Sequence, residues 1–484
     1  MSVSRNAGRL RPQVTKRYNP LFQAVVRRQN SSANRLSLRP AHDAPSKDGS
    51  ALTSTTSFPL SRLPTFSLIR SLALGLFMSS TSITRPGLAA LRMIANSKSA
   101  LLDPDKNILI RSIVKPFIYD HFCAGTDEQE VRQKVASIKS LGFAGVILCY
   151  GREVQAGKEK NVLGPASEAT PEQQIVEWRD GTLRTLSMIE SSDFLGIKLT
   201  GAGTGVMQCL LEGSDPPALF SEAMDAICRQ AASQGSRIWI DSEQQAVQST
   251  IDKWTIDLMR RYNTSGKALV YNTLQAYLKA SRGKLGHQLR LSQQEGWTLA
   301  IKLVRGAYMA IEERSLIRDT KADTDESYNG IVRDLLLGTV DGIPQDKFPP
   351  VKLFLATHNT ETVRQAVNLA SRLSKTGQLK VAPEFGQLQG MADDIGFEII
   401  HSADAAKSTT EANTDGSSGV HGAFVPLVYK CLTWGSLREC MRYLVRRAEE
   451  NMGATGRLKE GLLPITAELW HRSTRSLRRQ DNGS

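Results

Sequence analysis

The stretch Leu299-Ala300-Ile301-Lys302-Leu303-Val304-Arg305-Gly306 decides the fold. It is short, apolar and partly β-branched, which reads as a strand buried on both faces. Seven further runs share this character, at 145–150, 195–201, 237–242, 268–274, 353–359, 379–385 and 423–431. Segments of helical period lie between or beside them, at 128–141, 171–191, 217–234, 276–295, 361–375 and 436–451. Strands alternating with helices predict an α/β chain with a parallel sheet, and eight strands are the number that closes into a (β/α)8, TIM-like barrel. An open doubly wound sheet is the alternative, but no GxGxxG opens a helix after the first strand. The nearest match, Gly201-Ala202-Gly203-Thr204-Gly205, has the wrong spacing.

Charge divides the chain at about residue 102. The whole chain carries a formal +13. Residues 1–102 hold twelve Arg and three Lys against Asp43 and Asp48, which accounts for all of it. The remainder is neutral, so net charge gives no case for nucleic-acid binding. An Arg- and Ser-rich leader with no acid before Asp43 fits a mitochondrial transit peptide, and residues 1–102 read as transit peptide plus disordered basic leader. Its apolar stretch Ser71 to Met78 is too short to span a bilayer. The body, 103–484, reads as one barrel domain. Six cysteines with no CxxC spacing predict free thiols. Two segments interrupt the alternation: 408–419, a polar low-complexity loop, and 310–350, charged with a helix-like stretch at 325–337.

In a barrel of this kind the chemistry sits where strands end, and these ends are polar. They carry Lys198, Asp241 and Glu243, Gln275, Lys302 and Arg305, Thr357-His358-Asn359, and Glu384. Helix capping or rim salt bridges account for any one of them. A large polar ligand across the mouth accounts for the set. No metal-ligand spacing emerges, although Asp241, Glu243, His358 and Glu384 are types that bind divalent ions. A Schiff base at Lys198 or Lys302 is a further option.

The helix candidate near the C-terminus contains Tyr443-Leu444-Val445-Arg446-Arg447-Ala448-Glu449-Glu450-Asn451. Arg446 and Glu450 are spaced i, i+4 and can pair; a solvated salt-bridged face is the plain reading of this stretch by itself. With Lys302-Leu303-Val304-Arg305-Gly306-Ala307-Tyr308 and Leu353-Phe354-Leu355-Ala356-Thr357-His358-Asn359, it resembles the proline dehydrogenase (proline oxidase) family over most of residues 115–455.

The resemblance implies a distorted (β/α)8 barrel in which the helix after strand eight covers the mouth. It implies non-covalent FAD, oxidation of L-proline to Δ1-pyrroline-5-carboxylate, and ubiquinone as electron acceptor. It also implies a mitochondrial location, with peripheral association on the matrix side of the inner membrane. Residue by residue, Lys302 and Asp241 match catalytic positions beside the flavin. Gln275 matches a contact to the ring. Arg305, Gly306, Thr357, His358, Asn359 and Glu384 lie in motifs that line the cofactor. Arg446, Arg447 and Lys198 match groups that clamp the substrate carboxylate, and Glu450 matches an acid supporting them. Cys431 departs from the family, where many members have a tyrosine packed over the proline ring. That leaves proline against 4-hydroxyproline open, and hydroxyproline dehydrogenase of the same family is an alternative. A Schiff-base barrel lyase or aldolase is the alternative from another class.

Overall fold

The computed structural model describes residues 59–97, 99–151, 169–309, 311–412, 423–452 and 462–474. Eight parallel strands close into a barrel in chain order. They are β1 (Gly145–Tyr150), β2 (Phe194–Ile197), β3 (Arg237–Ile240), β4 (Val270–Gln275), β5 (Leu299–Val304), β6 (Val351–Ala356), β7 (Pro383–Leu388) and β8 (Leu427–Trp434). Closure is made by β1 on β8, with Ile147 opposite Cys431 and Cys149 opposite Thr433. The barrel expected from the sequence is therefore the barrel observed.

The interior is a plug of rings. Phe194, Trp239, Tyr271, Phe354 and Tyr429 pack with Ile147 and Ala300, and Phe194 meets the other four rings at 5.2–5.4 Å between centroids. Side chains on a strand alternate between faces, so the next inward residue lies two positions on. From Ile147, Trp239, Ala300 and Tyr429 this step reaches Cys149, Asp241, Lys302 and Cys431. The ring layer thus places these four side chains together, one level nearer the mouth.

The other end of the barrel is closed by Arg237. Its guanidinium lies 3.8 Å from the Phe194 ring centroid and donates to Glu384 Oε2 at 2.6 Å and Tyr429 Oη at 2.9 Å. A buried charge needs such partners.

Outside the strands, the helices differ from the sequence reading in several places. Gln245–Tyr262 fills the space between β3 and β4, where no helix was expected. Lys321–Leu337 makes the 310–350 region an ordinary helical crossover from β5 to β6. Asp393–Ala412 runs through the first residues of the expected 408–419 loop, the rest of which lies outside the described residues. Residues 59–96, read with the leader, form two helices, Thr65–Ser79 and Thr81–Asn96.

These N-terminal helices matter because of what they touch. The helix after β8, Leu437–Met452, buries Leu437, Cys440, Met441, Tyr443 and Leu444 against Val114, Tyr119, Phe122 and Cys123, with Leu91, Ile94 and Ala95 alongside. Asp105 accepts from the Leu437 and Arg438 N–H groups at 3.0 and 3.2 Å, a carboxylate at a helix N-terminus. Asp103 pairs with Arg438 at 2.7 Å. The turn into the helix is at Gly435, whose φ of 146° strains a residue with a Cβ.

Candidate active site

At the mouth, Lys302 Nζ lies 2.5 Å from Asp241 Oδ1, and the two side chains are 10% and 23% exposed. The same ammonium is 4.3 Å from the Trp239 ring centroid, so a cation–π contact and a carboxylate fix its position. Cys431 hydrogen-bonds Cys149, which holds its thiol below the ordinary value, with Lys302 and Arg447 adding to the effect. The Arg447 charge, carried on the helix after β8, is thus felt at Cys431 inside the barrel. The Arg446 charge is felt likewise at Tyr308, which also feels Lys198, Glu243 and Asp241; burial raises that phenol's pKa. The helix Leu437–Met452 thus covers the mouth, as expected.

Glu243 and two tyrosines, Tyr308 and Tyr443, share this cluster. Glu243 is buried, which raises its carboxyl, while Lys198 and Thr200 oppose the rise. It accepts from the Thr200 N–H at 3.1 Å and from the Thr200 hydroxyl. Tyr443 is 6% exposed, with a hydroxyl that has no hydrogen-bond partner among the described residues. Arg447 Cζ lies 5.3 Å from its ring centroid.

Beside this cluster, Arg305 spreads its guanidinium over three partners. It donates to Asp325 Oδ1 at 2.7 Å, Thr357 Oγ1 at 2.8 Å and Thr362 Oγ1 at 2.9 Å. Gly306, with φ 141°, turns the chain directly after it, where a Cβ would sit 2.3 Å from the Tyr277 ring. Asn359 caps the helix Thr360–Lys375 by accepting from the Thr362 N–H at 2.9 Å. His358 Nε2 accepts from the Leu388 N–H at 3.0 Å. Gln275 ends β4; it is 3% exposed, and neither atom of its amide has a hydrogen-bond partner among the described residues. Buried amides are almost always partnered, so Gln275 fits a polar ligand at the mouth.

Two expected site residues need separate comment. Glu384 is the second residue of β7, bound to Arg237 at the closed end of the barrel and away from the mouth. The expected strand 379–385 put it at the wrong end, because β7 begins four residues later. Glu450 lies in the covering helix, but its side chain is outside the described residues. No group of three metal-binding side chains occurs among the described residues. Tyr308, Tyr443 and Cys149 were not assigned roles from the sequence. The first two stood in quoted motifs, three residues after Arg305 and three before Arg446. Cys149 carried no signal beyond its place in β1.

The proline dehydrogenase family profile matches residues 132–460. The chain belongs to the proline dehydrogenase family. A mitochondrial probable proline dehydrogenase of Schizosaccharomyces pombe is 30% identical over 397 residues, 71% of this chain and 76% of the relative. Human mitochondrial proline dehydrogenase 1 is 29% identical over 60% of this chain, which spans only 47% of the human protein. A hydroxyproline dehydrogenase of Bos taurus is 25% identical over 70% of this chain and 77% of its own length. Among solved structures, proline utilization A (PutA) from Bdellovibrio bacteriovorus superposes with a TM-score of 0.58 at 16% identity, over 78% of this chain and 38% of that one. That likeness speaks for the barrel alone.

Proposed function

We propose that this chain oxidises L-proline to Δ1-pyrroline-5-carboxylate with FAD, in mitochondria, and passes electrons to ubiquinone at the matrix face of the inner membrane. The reading is supported by the charges around the Lys302–Asp241 pair, with Arg447 acting on Cys431 and with Arg446 and Lys198 acting on Tyr308. Two guanidinium groups and an ammonium bind one carboxylate through charge-assisted hydrogen bonds. Anchored there, the ring presents the C–H beside nitrogen to the interior of the barrel. That carbon gives up hydrogen with both electrons and the nitrogen proton passes to solvent water, leaving a C=N bond. FAD, when bound, supplies the acceptor for the electron pair. Gln275, Lys302, Arg305, Gly306, Thr357, His358 and Asn359 are the residues that would hold it. Alignment contributes more to such a transfer than acid–base catalysis. Lys302 sets positive potential where charge grows, and the covering helix keeps water out.

Cys431 supports 4-hydroxyproline as a second, poorer substrate. The side chain is smaller than the tyrosine of many family members and faces the barrel interior. A Schiff-base lyase is disfavoured for Lys302, whose amine is already engaged by Asp241 and the Trp239 ring.

The test is the visible spectrum of the purified protein. Flavin absorbance that bleaches anaerobically on adding L-proline supports the reading. A colourless protein with a borohydride-trappable lysine overturns it.

A further inference from the structure

Four cysteines gather where the barrel mouth meets the covering helix. Burial raises the Tyr443 phenol, with Arg447 opposing and Cys123, Cys431 and Cys149 adding to the rise, which places those three thiols near the ring. Cys440, one turn before Tyr443, hydrogen-bonds Cys123. Their surroundings set them apart. Cys123 and Cys440 are 1% and 0% exposed in an apolar cluster, and burial raises the Cys123 thiol well above its ordinary value. Cys228, on the helix Ala218–Gln234, is raised by burial to about 12. Thiols in such apolar surroundings are inert.

Cys431 differs on each count. It is half-buried and faces the barrel interior from β8, packed against the ring layer. Its hydrogen bond to Cys149 lowers the thiol pKa, and Lys302 and Arg447 add to this against burial and Asp241. A partly accessible thiol among positive groups is the kind that peroxide oxidises.

The strand register decides the product. Cys431 lies opposite Ile147 of β1, and Cys149 lies opposite Thr433, so the two thiols are offset by two residues along neighbouring strands. Two residues span about 6.6 Å and the strands are about 4.8 Å apart, which sets the Cα atoms beyond the roughly 7 Å that a disulfide bridges. The Cys149 sulfur also leans over Gly196 of β2, where a Cβ would meet it at 2.4 Å. A disulfide would require strands to slide in a closed barrel. One oxygen added to Cys431 requires no such movement.

We propose that Cys431 is a site of reversible oxidation by hydrogen peroxide to a sulfenic acid, inside the barrel mouth. The sulfur attacks one peroxide oxygen. An S–O bond forms, the O–O bond breaks, sulfur gives up two electrons and hydroxide leaves to solvent. Dithiothreitol reverses the change, ending as its cyclic disulfide with release of water. The oxidation rests on the surroundings of the thiol. That it blocks proline rests on the functional reading above, which puts the substrate ring beside Cys431.

The test is peptide mass spectrometry of the full-length holoprotein, treated with hydrogen peroxide and trapped with dimedone, which adds to sulfenic acids. Cys431 should be labelled, and Cys123, Cys228 and Cys440 should not. Cys149→Ala removes the hydrogen-bond partner and should slow labelling of Cys431 roughly fivefold, while retained proline turnover shows that the variant folds. Excess L-proline should slow labelling in the wild type. Turnover should fall with labelling and return with dithiothreitol. The proposal fails if Cys431 is not labelled, if Cys123 or Cys440 is labelled as readily, or if the product is a Cys149–Cys431 disulfide. It also fails if Cys149→Ala is labelled at the wild-type rate. Labelling of Cys431 that proline does not slow and that leaves turnover intact overturns the placing of the substrate, and the oxidation stands.

Discussion

Lys302 and Asp241 form an ion pair at 2.5 Å between the interior of β5 and the residue that follows β3. Neither charge is well placed in isolation, because both side chains are mostly withdrawn from water. Lys302→Met should leave the Asp241 carboxylate without its cation, and Asp241→Asn should leave the reverse. Each change should lower kcat/KM for proline by about 100-fold, and the double variant should be no worse than the poorer single one. Steady-state kinetics with flavin content measured in parallel decides this. Additive losses would mean that the two groups act separately.

Arg446 and Arg447 act on Tyr308 and Cys431 from the covering helix, and the functional reading gives them the substrate carboxylate. Replacing either by Met keeps the apolar stem and removes the guanidinium fork. The loss should be about 2–3 kcal/mol, or roughly 30- to 150-fold in kcat/KM, with flavin content near normal. Unchanged kinetics would return both residues to a solvated, salt-bridged face.

Cys431 faces inward beside Lys302. A pocket that only lacks a clash discriminates weakly, by about 1–3 kcal/mol. Proline should remain the better substrate while 4-hydroxyproline turns over measurably. Cys431→Tyr should lower hydroxyproline activity more than proline activity. An equal effect on both substrates would place Cys431 away from the substrate ring.

The segment before the barrel bears on the helix that carries Arg446 and Arg447. Arg92 pairs with Glu449 at 2.5 Å, and Leu91 and Ile94 pack beside Leu437 and Leu444. A chain that starts near residue 57 should oxidise proline with normal kinetics. One that starts near residue 103 should retain the barrel by circular dichroism but show a raised KM, because the covering helix loses its support. Equal KM values in the two truncations would show that the helices Thr65–Ser79 and Thr81–Asn96 have no part in positioning the arginines.

His121 gives the fold a pH dependence. Burial, helped by Arg70 and Lys134 and opposed by Asp393 and the Gly390 carbonyl, lowers its pKa from 6.5 to about 4. The folded chain therefore holds a neutral imidazole where the unfolded chain takes up a proton. Its stabilisation is present above pH 6.5 and is lost as pH falls toward 4, on the order of 3 kcal/mol in all. The Tm should drop across that window, and His121→Asn should flatten the slope. A slope that survives the substitution would assign the effect to other groups.

The strand pattern could be read from sequence because a doubly buried strand has to be apolar wherever it occurs. The polar strand ends could be read as well, since a packed barrel gives Lys302, Asp241 or Gln275 no reason to be there. The failures came where the local signal was ambiguous. In 379–388, Val381 is apolar and buried but precedes β7, so the strand was placed too early and Glu384 was taken to the mouth. Gln245–Tyr262 was missed because its buried face mixes Val247, Ile251 and Trp254 with Gln248, Thr250 and Thr255, which blurs the apolar period.

By itself the sequence determined the number of strands, their parallel order and the residue types available for chemistry, because burial and periodicity act within a few neighbouring positions. Only the tertiary structure decided which of those residues meet. Whether Cys149 lies against Cys431, or Arg446 acts on Tyr308, depends on barrel closure and on the path of the covering helix. Those are set by contacts between segments hundreds of residues apart, and no local pattern records them.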